Sequence, residues 1–329
     1  MNKEAKTEFS KDILSIDDIK AKAENIIGKL KENILINLKR KGAVIGVSGG
    51  IDSSVCLALA VKALGPDRVI ALMLPEKDSS SQSKELALKL ARQLSVQAIE
   101  ENISNALDGI GCYKRRDKAV TAIFPEYDPI RHTMKIGISS EVISPNLPPV
   151  FSISIIDKDG TVKTKRIPPK EYLQIVAASN FKQRMRMSML YYYAESSYYA
   201  VVGTPNKHEH EQGFFVKYGD GGADVMPIVN LYKTQVYQLA EYLQIPKEII
   251  DRTPTSDTYP AEQTQEEFFF QLPFRDMDLI WYGYENGYDA AEVGQVMGRT
   301  EDEIKAIYKN FLRKQKTTEY LRMLPIKEM

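Results

Sequence analysis

Apolar residues fall at Ile19, Ala23, Ile26, Ile27, Leu30, Ile34 and Leu38, mostly three or four apart, which predicts an amphipathic helix along one stripe. Lys41-Gly42 is its natural stop. Ala43-Val44-Ile45-Gly46-Val47 follows as a continuous apolar run of strand length, the pattern of a strand buried on both faces. Similar runs stand at Val69 to Leu74, Val96 to Ile99 and Ala200 to Gly203, with helical patterns near Ser53 to Leu64, Ser80 to Leu94 and Pro169 to Ser197. Strands alternating with helices predict right-handed crossovers, an α/β fold and a mostly parallel sheet. Ligands in such sheets bind at the carboxyl ends of the strands.

Two regions break the alternation. Residues 114 to 168 are proline-rich with no long periodic helix, and they hold two β-rich runs, Val150 to Ile156 and Thr161 to Lys165, around Asp157-Lys158-Asp159-Gly160. That reads as an insertion bearing a hairpin. From Thr255 onward the pattern becomes helical, near Gln265 to Gln271, Arg275 to Glu285, Ala290 to Met297 and Glu301 to Gln315. The expected organisation is one domain: an amino-terminal helix in 1–41, a nucleotide-binding core in 42–254 and a helical lobe in 255–329.

Composition narrows the chemistry. The 329 residues hold 44 Lys plus Arg against 44 Asp plus Glu, so a broad polyanion surface, which needs clustered excess cations, is not expected. Cys56 and Cys112 are the two cysteines, too few for a disulfide framework or a paired-cysteine metal motif. With no apolar stretch near the ~18 residues of a membrane span and no signal-peptide core, the expected location is cytoplasmic.

The most informative segment is Gly46-Val47-Ser48-Gly49-Gly50-Ile51-Asp52-Ser53-Ser54, between the first strand and a helix. Glycines let backbone approach a phosphate, and the amides and dipole of the helix start favour negative charge. Ser48, Ser53 and Ser54 add hydroxyl donors. No GK[ST] follows, as a Walker A loop requires, and the glycines miss the dinucleotide-binding spacing. SGGIDSS resembles the SGGxDS signature of the N-type ATP pyrophosphatases, enzymes that split ATP into AMP and pyrophosphate. Such a resemblance implies a Rossmann-like parallel sheet with helices on both faces, but names no second substrate.

Residues 180 to 237 narrow it. NFKQRMRMSMLYYY, then VVGTPNKHE, KYGDGGAD and YKTQV follow in order, and this series is similar to the ammonia-dependent NAD synthetase family. By that resemblance Gly46, Val47, Ser48, Gly49, Gly50, Ile51, Asp52, Ser53, Thr204, Lys233 and Thr255 bind ATP. Asp52 and Glu209 hold Mg²⁺, Arg184, Lys217 and Asp224 contact deamido-NAD, and Asp52, Lys233 and Asp224 take part in catalysis, Asp224 as a candidate acceptor of a proton from ammonium. The implied reaction joins ATP, deamido-NAD and ammonia, and the implied assembly is a homodimer. Elementary chemistry agrees: Mg²⁺ takes few protein carboxylates beside substrate phosphates, and guanidinium and ammonium groups suit a pyrophosphate. A chain of this length has no room for a glutamine amidase beside the core, so free ammonia is the expected donor. Alternatives are an amide ligase of the same chemistry acting on another carboxylate, a tRNA-modifying pyrophosphatase, and a nucleotide sensor.

Other features carry plainer expectations. His208-Glu209-His210-Glu211 reads as a solvated turn partly in the site rather than a zinc centre. Tyr191, Tyr192, Tyr193, Tyr198 and Tyr199 read mostly as core or subunit contacts, and Phe268 to Trp281 as the packed interior of the helical lobe. Arg313-Lys314-Gln315-Lys316 reads as a solvated basic helix end, and Lys163, Lys165, Arg166 and Lys170 as a charged hairpin edge. Two motifs depart from the family pattern. Gln263-Thr264-Gln265-Glu266-Glu267 shifts the usual acidic pair, and Tyr320-Leu321-Arg322 stands where a His-Lys is usual.

Overall fold

The computed structural model describes residues 7–138, 151–255, 258–261 and 263–327. Residues 139–150 of the expected insertion, including Val150 at the start of its first β-rich run, lie outside the described residues. In chain order the elements are α1 (Ile19–Glu32), β1 (Ala43–Gly46), α2 (Ile51–Leu64), β2 (Val69–Met73), α3 (Ser81–Gln93), β3 (Gln97–Glu100), α4 (Ser104–Gly109) and α5 (Cys112–Ile123). Next come β4 (His132–Ile138), β5 (Phe151–Asp157), β6 (Val162–Arg166), α6 (Pro169–Ser197), β7 (Ala200–Val202) and α7 (Lys207–Gln212). The chain closes with α8 (Lys233–Tyr242), α9 (Lys247–Ile250), α10 (Phe274–Glu285), α11 (Ala290–Met297), α12 (Glu301–Thr317) and α13 (Glu319–Arg322).

The expected parallel sheet is present, in the order β3-β2-β1-β7. Alternation along each strand divides its side chains between two layers. Ala43, Ile45, Ala71, Met73, Ala200 and Val202 face a core shared with α1, α2, α3 and α8, while Val44, Ile70, Leu72 and Val201 face one shared with α4, α5 and α6. Both faces are therefore covered, which is why the central strands read as unbroken apolar runs. The α helix α1 ends at Glu32 and continues as a wider π turn over Asn33–Asn37, which keeps Ile34 buried and leaves Leu38 exposed.

The insertion differs from expectation in two ways. Its first part is a helix, α5, with Cys112, Tyr113, Arg116, Ala119 and Val120 buried on one side. Five charged residues, Lys114, Arg115, Arg116, Asp117 and Lys118, mask that periodicity in the sequence. The expected hairpin β5–β6 is joined by β4 into a three-stranded antiparallel sheet, with His132 opposite Asp157 and Ile138 opposite Phe151. Met134, Ile136, Ile153 and Ile155 fill its inner face, and β6 is exposed along its length. Trp281, Phe311, Phe270 and Met277 form the core of the carboxyl-terminal lobe, as expected from the aromatic cluster. Phe268 packs instead against the insertion core.

Candidate active site

Between β1 and α2 the chain turns at Gly49, whose φ of +73° is a left-handed conformation. A side chain there would also bring its Cβ within 2.4 Å of the Ser83 carbonyl oxygen, so both torsion and space require glycine. The first-turn amides of α2 have no partner within the helix, and Gly50, Ile51, Asp52 and Ser53 line a cavity of about 850 Å³ at the carboxyl end of the sheet. The serines serve the turn as well as any ligand. Ser53 and Ser54 donate to the Gly50 carbonyl at 3.0 and 2.8 Å, and Gly50 N–H donates to Ser48 Oγ. Ser54 is fully buried, so its hydroxyl braces the loop instead of acting as the phosphate donor expected of it.

One acid-base cluster stands beside this turn. Lys233, at the first turn of α8, is fully buried and donates its ammonium to Asp52 Oδ2, and Asn206 Nδ2 donates to Asp52 Oδ1 at 3.3 Å. Burial opposes the charge on Lys233, but the Asp52 and Glu209 carboxylates outweigh it and hold the ammonium above the usual lysine range. Glu209 closes a capping box on α7: its Oε2 accepts Asn206 N–H at 3.0 Å while its own N–H donates to Asn206 Oδ1. Burial, then the neighbouring Asp52, push the Glu209 carboxyl above the usual glutamate range. Two crowded carboxylates relieved by one ammonium are a natural seat for a further cation.

Lys233 is fixed from behind. Asp278, buried on α10, accepts Thr234 N–H at 2.7 Å and Lys233 N–H at 3.3 Å, so a carboxylate caps the amino terminus of α8. The same Asp278 meets His208 Nε2 at 2.7 Å, and Gln212 bonds His208 Nδ1. His208 is thus fully buried, which corrects the expectation of a solvated turn: α7 directs His208 inward and Glu209 toward the cavity.

Thr204, after β7, and Thr255 line the same cavity, as do Arg184 and Lys217. The Arg184 guanidinium reaches the Lys217 carbonyl at 3.3 Å. Lys217 gives its ammonium to the Tyr320 and Met323 carbonyls. Asp224 is placed differently. Its carboxylate accepts Val201 N–H at 2.8 Å and the Tyr191 hydroxyl at 3.1 Å, and it is absent from the cavity wall, where Asp220 stands instead. Both Asp224 oxygens brace β7 against α6. Asp220 is exposed at the cavity rim, where its carboxylate accepts Val216 N–H at 2.7 Å.

A model of the NAD synthase family matches residues 23–124 and 142–325. The chain belongs to the NAD synthase family. Among relatives of this NAD synthase family chain, the NH(3)-dependent NAD(+) synthetase of Mesorhizobium japonicum is 45% identical over 94% of this chain and 96% of its own. The one from Rhizobium meliloti is 44% identical over 96% and 94%, and the one from Thermotoga maritima 35% identical over 82% and 89%. Among solved structures, an NMN synthetase from Francisella tularensis aligns with a TM-score of 0.62 at 25% identity, covering 94% of this chain and 98% of that one. An NH3-dependent NAD synthetase from Campylobacter jejuni gives 0.61 at 21% identity over 95% and 100%, a likeness of fold.

This family member also carries a buried ion network that its sequence does not announce. Lys182, on α6, is 1% exposed and donates to Glu76 at 2.9 Å, Asp78 at 2.7 Å and the Thr258 carbonyl at 3.0 Å. Arg116 donates to the same Asp78 oxygen at 2.6 Å, and the Tyr113 hydroxyl to Glu76 at 2.8 Å. The available signal was position: Glu76 and Asp78 directly follow the carboxyl end of β2. Cys56 and Cys112 are buried, and burial raises both thiols, Cys112 to about 11, which suits packing and not nucleophilic work.

Proposed function

We infer that this chain is an ammonia-dependent NAD(+) synthetase, and that the cavity between the Gly49 turn, α6 and α8 is its active site. The reaction amidates deamido-NAD with ammonia and splits ATP into AMP and pyrophosphate. The observation that carries the site is Lys233 buried against Asp52 at the glycine turn, with Glu209 beside them.

The nicotinate carboxylate attacks the α-phosphorus of ATP, forming an acyl adenylate and releasing pyrophosphate. Ammonia then attacks the acyl carbon, AMP leaves with one former carboxylate oxygen, and a proton goes to solvent. No protein nucleophile enters the balance. The protein's work is to align mutually repelling anions and to offset charge on the departing pyrophosphate. The first-turn amides of α2, Ile51 to Ser53, and the Lys233 ammonium fit the phosphates within the 46–53 turn, Thr204 and Thr255 complete the ATP contacts, and Arg184 and Lys217 fit the second anion.

Asp52 and Glu209 would hold Mg²⁺. Their crowding, seen in the upward push on Glu209, fits a cation that takes few protein ligands, and among the described residues no cluster of three or more His, Cys, Asp or Glu offers a self-sufficient metal site. When bound with ATP, Mg²⁺ supplies positive charge to the phosphate oxygens. A homodimer is part of this reading, and α6, 29 residues long, carries Leu173 and Tyr192 exposed to a partner. A cytoplasmic enzyme fits the reading; among the described residues no helix is long and apolar enough to cross a membrane.

The test follows AMP release with ATP, Mg²⁺ and ammonium, with and without deamido-NAD. Strong stimulation by deamido-NAD is expected, together with loss of turnover on chelation of the metal. Stimulation by nicotinate mononucleotide alone would contradict the assignment of substrate.

A further inference from the structure

The family match passes over residues 125–141, the segment that contains β4. One edge of β4 pairs with β5. The other meets the loop that follows Thr255, where Ala261 N–H donates to the Met134 carbonyl at 3.1 Å. Below that bond Met134 and Ile136 are fully buried in one core with Tyr259, and Phe268 packs on it, its ring edge-on to Tyr259 at 5.6 Å. Lys182 holds the same loop from the opposite side, donating to Thr258 O while paired with Glu76 and Asp78. An isolated bridge between Thr255 and Thr264 closes the loop at its base. Thr255, Thr258, Tyr259, Gln265 and Phe268 all line the cavity.

We propose that β4 and Lys182 position Thr258, Tyr259 and Ala261, and through the Thr255–Thr264 bridge Thr255, for ATP, so that Thr255 is set before the nucleotide arrives. β4 supplies a main-chain acceptor and an apolar bed; Lys182 supplies a charged tether whose own charge is matched by two carboxylates. The cost of ordering the loop then falls on folding rather than on binding, and affinity for ATP rises accordingly. Pairing with the loop also covers an edge strand that would otherwise be open. The inference rests on the reading that Thr255 contacts ATP.

Ala261→Pro deletes the N–H that donates to the Met134 carbonyl on β4, and Ala261→Ser keeps it. For Ala261→Pro the KM for ATP should rise roughly three- to tenfold, the worth of one hydrogen bond, with kcat and the KM for deamido-NAD within about twofold of wild type. Ala261→Ser should behave as wild type. Amide exchange across 258–265 provides a readout independent of turnover: slow in nucleotide-free wild type, fast in nucleotide-free Ala261→Pro, and slow again when ATP is added. Met134→Ala, which thins the bed under Tyr259 without touching the cavity, should reproduce the rise if Ala261→Pro does not fold. Free exchange of 258–265 in nucleotide-free wild type, or an unchanged KM for ATP in folded variants of both kinds, would overturn the proposal. Thr255→Val separates the two ideas: if it leaves the KM for ATP unchanged, the Thr255 contact fails, while the exchange data still decide the positioning.

Discussion

The Lys217 ammonium donates to the Tyr320 carbonyl at 2.7 Å and, two hydrogen bonds deep, to that of Met323 at 2.9 Å, joining the KYGDGGAD loop to the end of the chain. Arg322 fastens the same end to the His210 and Gln315 carbonyls. A lysine expected to meet deamido-NAD is therefore already oriented by main-chain oxygens, which leave its charge intact. Lys217→Met should raise the KM for deamido-NAD about tenfold or more, as for loss of a charge-assisted hydrogen bond, and leave the KM for ATP within about twofold. Initial-rate kinetics with each substrate varied separately checks this.

Lys233→Met removes the buried ammonium and leaves Asp52 and Glu209 facing each other. A fall in kcat of roughly 10²–10³ is expected, the scale for losing one preorganised group that offsets developing charge. Lys233→Arg should not restore the rate, because a forked guanidinium does not fit a fully buried point-charge site beside Phe274. Single-turnover formation of AMP distinguishes this from slow product release.

Asp224→Asn tests a different role for its carboxylate. Because Asp224 braces Val201 N–H and the Tyr191 hydroxyl, the substitution should lower the melting temperature by a few degrees, for about 1 kcal/mol lost. The pH profile for ammonium should keep its shape. A profile displaced by a full pH unit would restore Asp224 as the proton acceptor.

Lys314 was expected to be solvated at a basic helix end, yet it turns inward, donating to the Phe269 carbonyl at 2.8 Å with its ammonium 4.5 Å from the Phe269 ring centroid. Burial, then the Arg313 charge, pull its ammonium down to about 7. The unfolded lysine titrates near 10.4, so between these values the unfolded chain binds more protons. Stability contributed at this site therefore rises as pH increases from about 7 toward 10. Lys314→Met should flatten that rise, seen as melting temperatures compared at pH 6, 7.5 and 9.

Legibility in the sequence followed the physics of each segment. β1, the glycine turn and α2 were readable because a doubly buried strand must be continuously apolar and a phosphate turn needs glycine where φ is positive. α6 keeps the Pro169 to Ser197 limits that its pattern predicts. By contrast, α5 was hidden by charges that solvate its outer face, and β4 by surrounding prolines. The π turns at Asn33–Asn37 and Glu266–Phe270 share the apolar spacings of α helices, so spacing alone does not separate them. His208 and Lys314 were misread, and Lys182 passed over, for one reason: a charged or polar residue is solvated by default, and only tertiary partners reveal it as turned inward. Among the site residues, those on the turn and on α7 and α8 converge on one cavity, whereas Asp224 belongs to the support of β7.

Deamido-NAD labelled with ¹⁸O in both carboxylate oxygens offers the most direct measurement. If the carboxylate attacks the α-phosphorus, AMP isolated after complete amidation carries one ¹⁸O atom and the carboxamide of NAD retains the other. AMP without label, with the isotope lost to water or found in pyrophosphate, would contradict an acyl adenylate at this site.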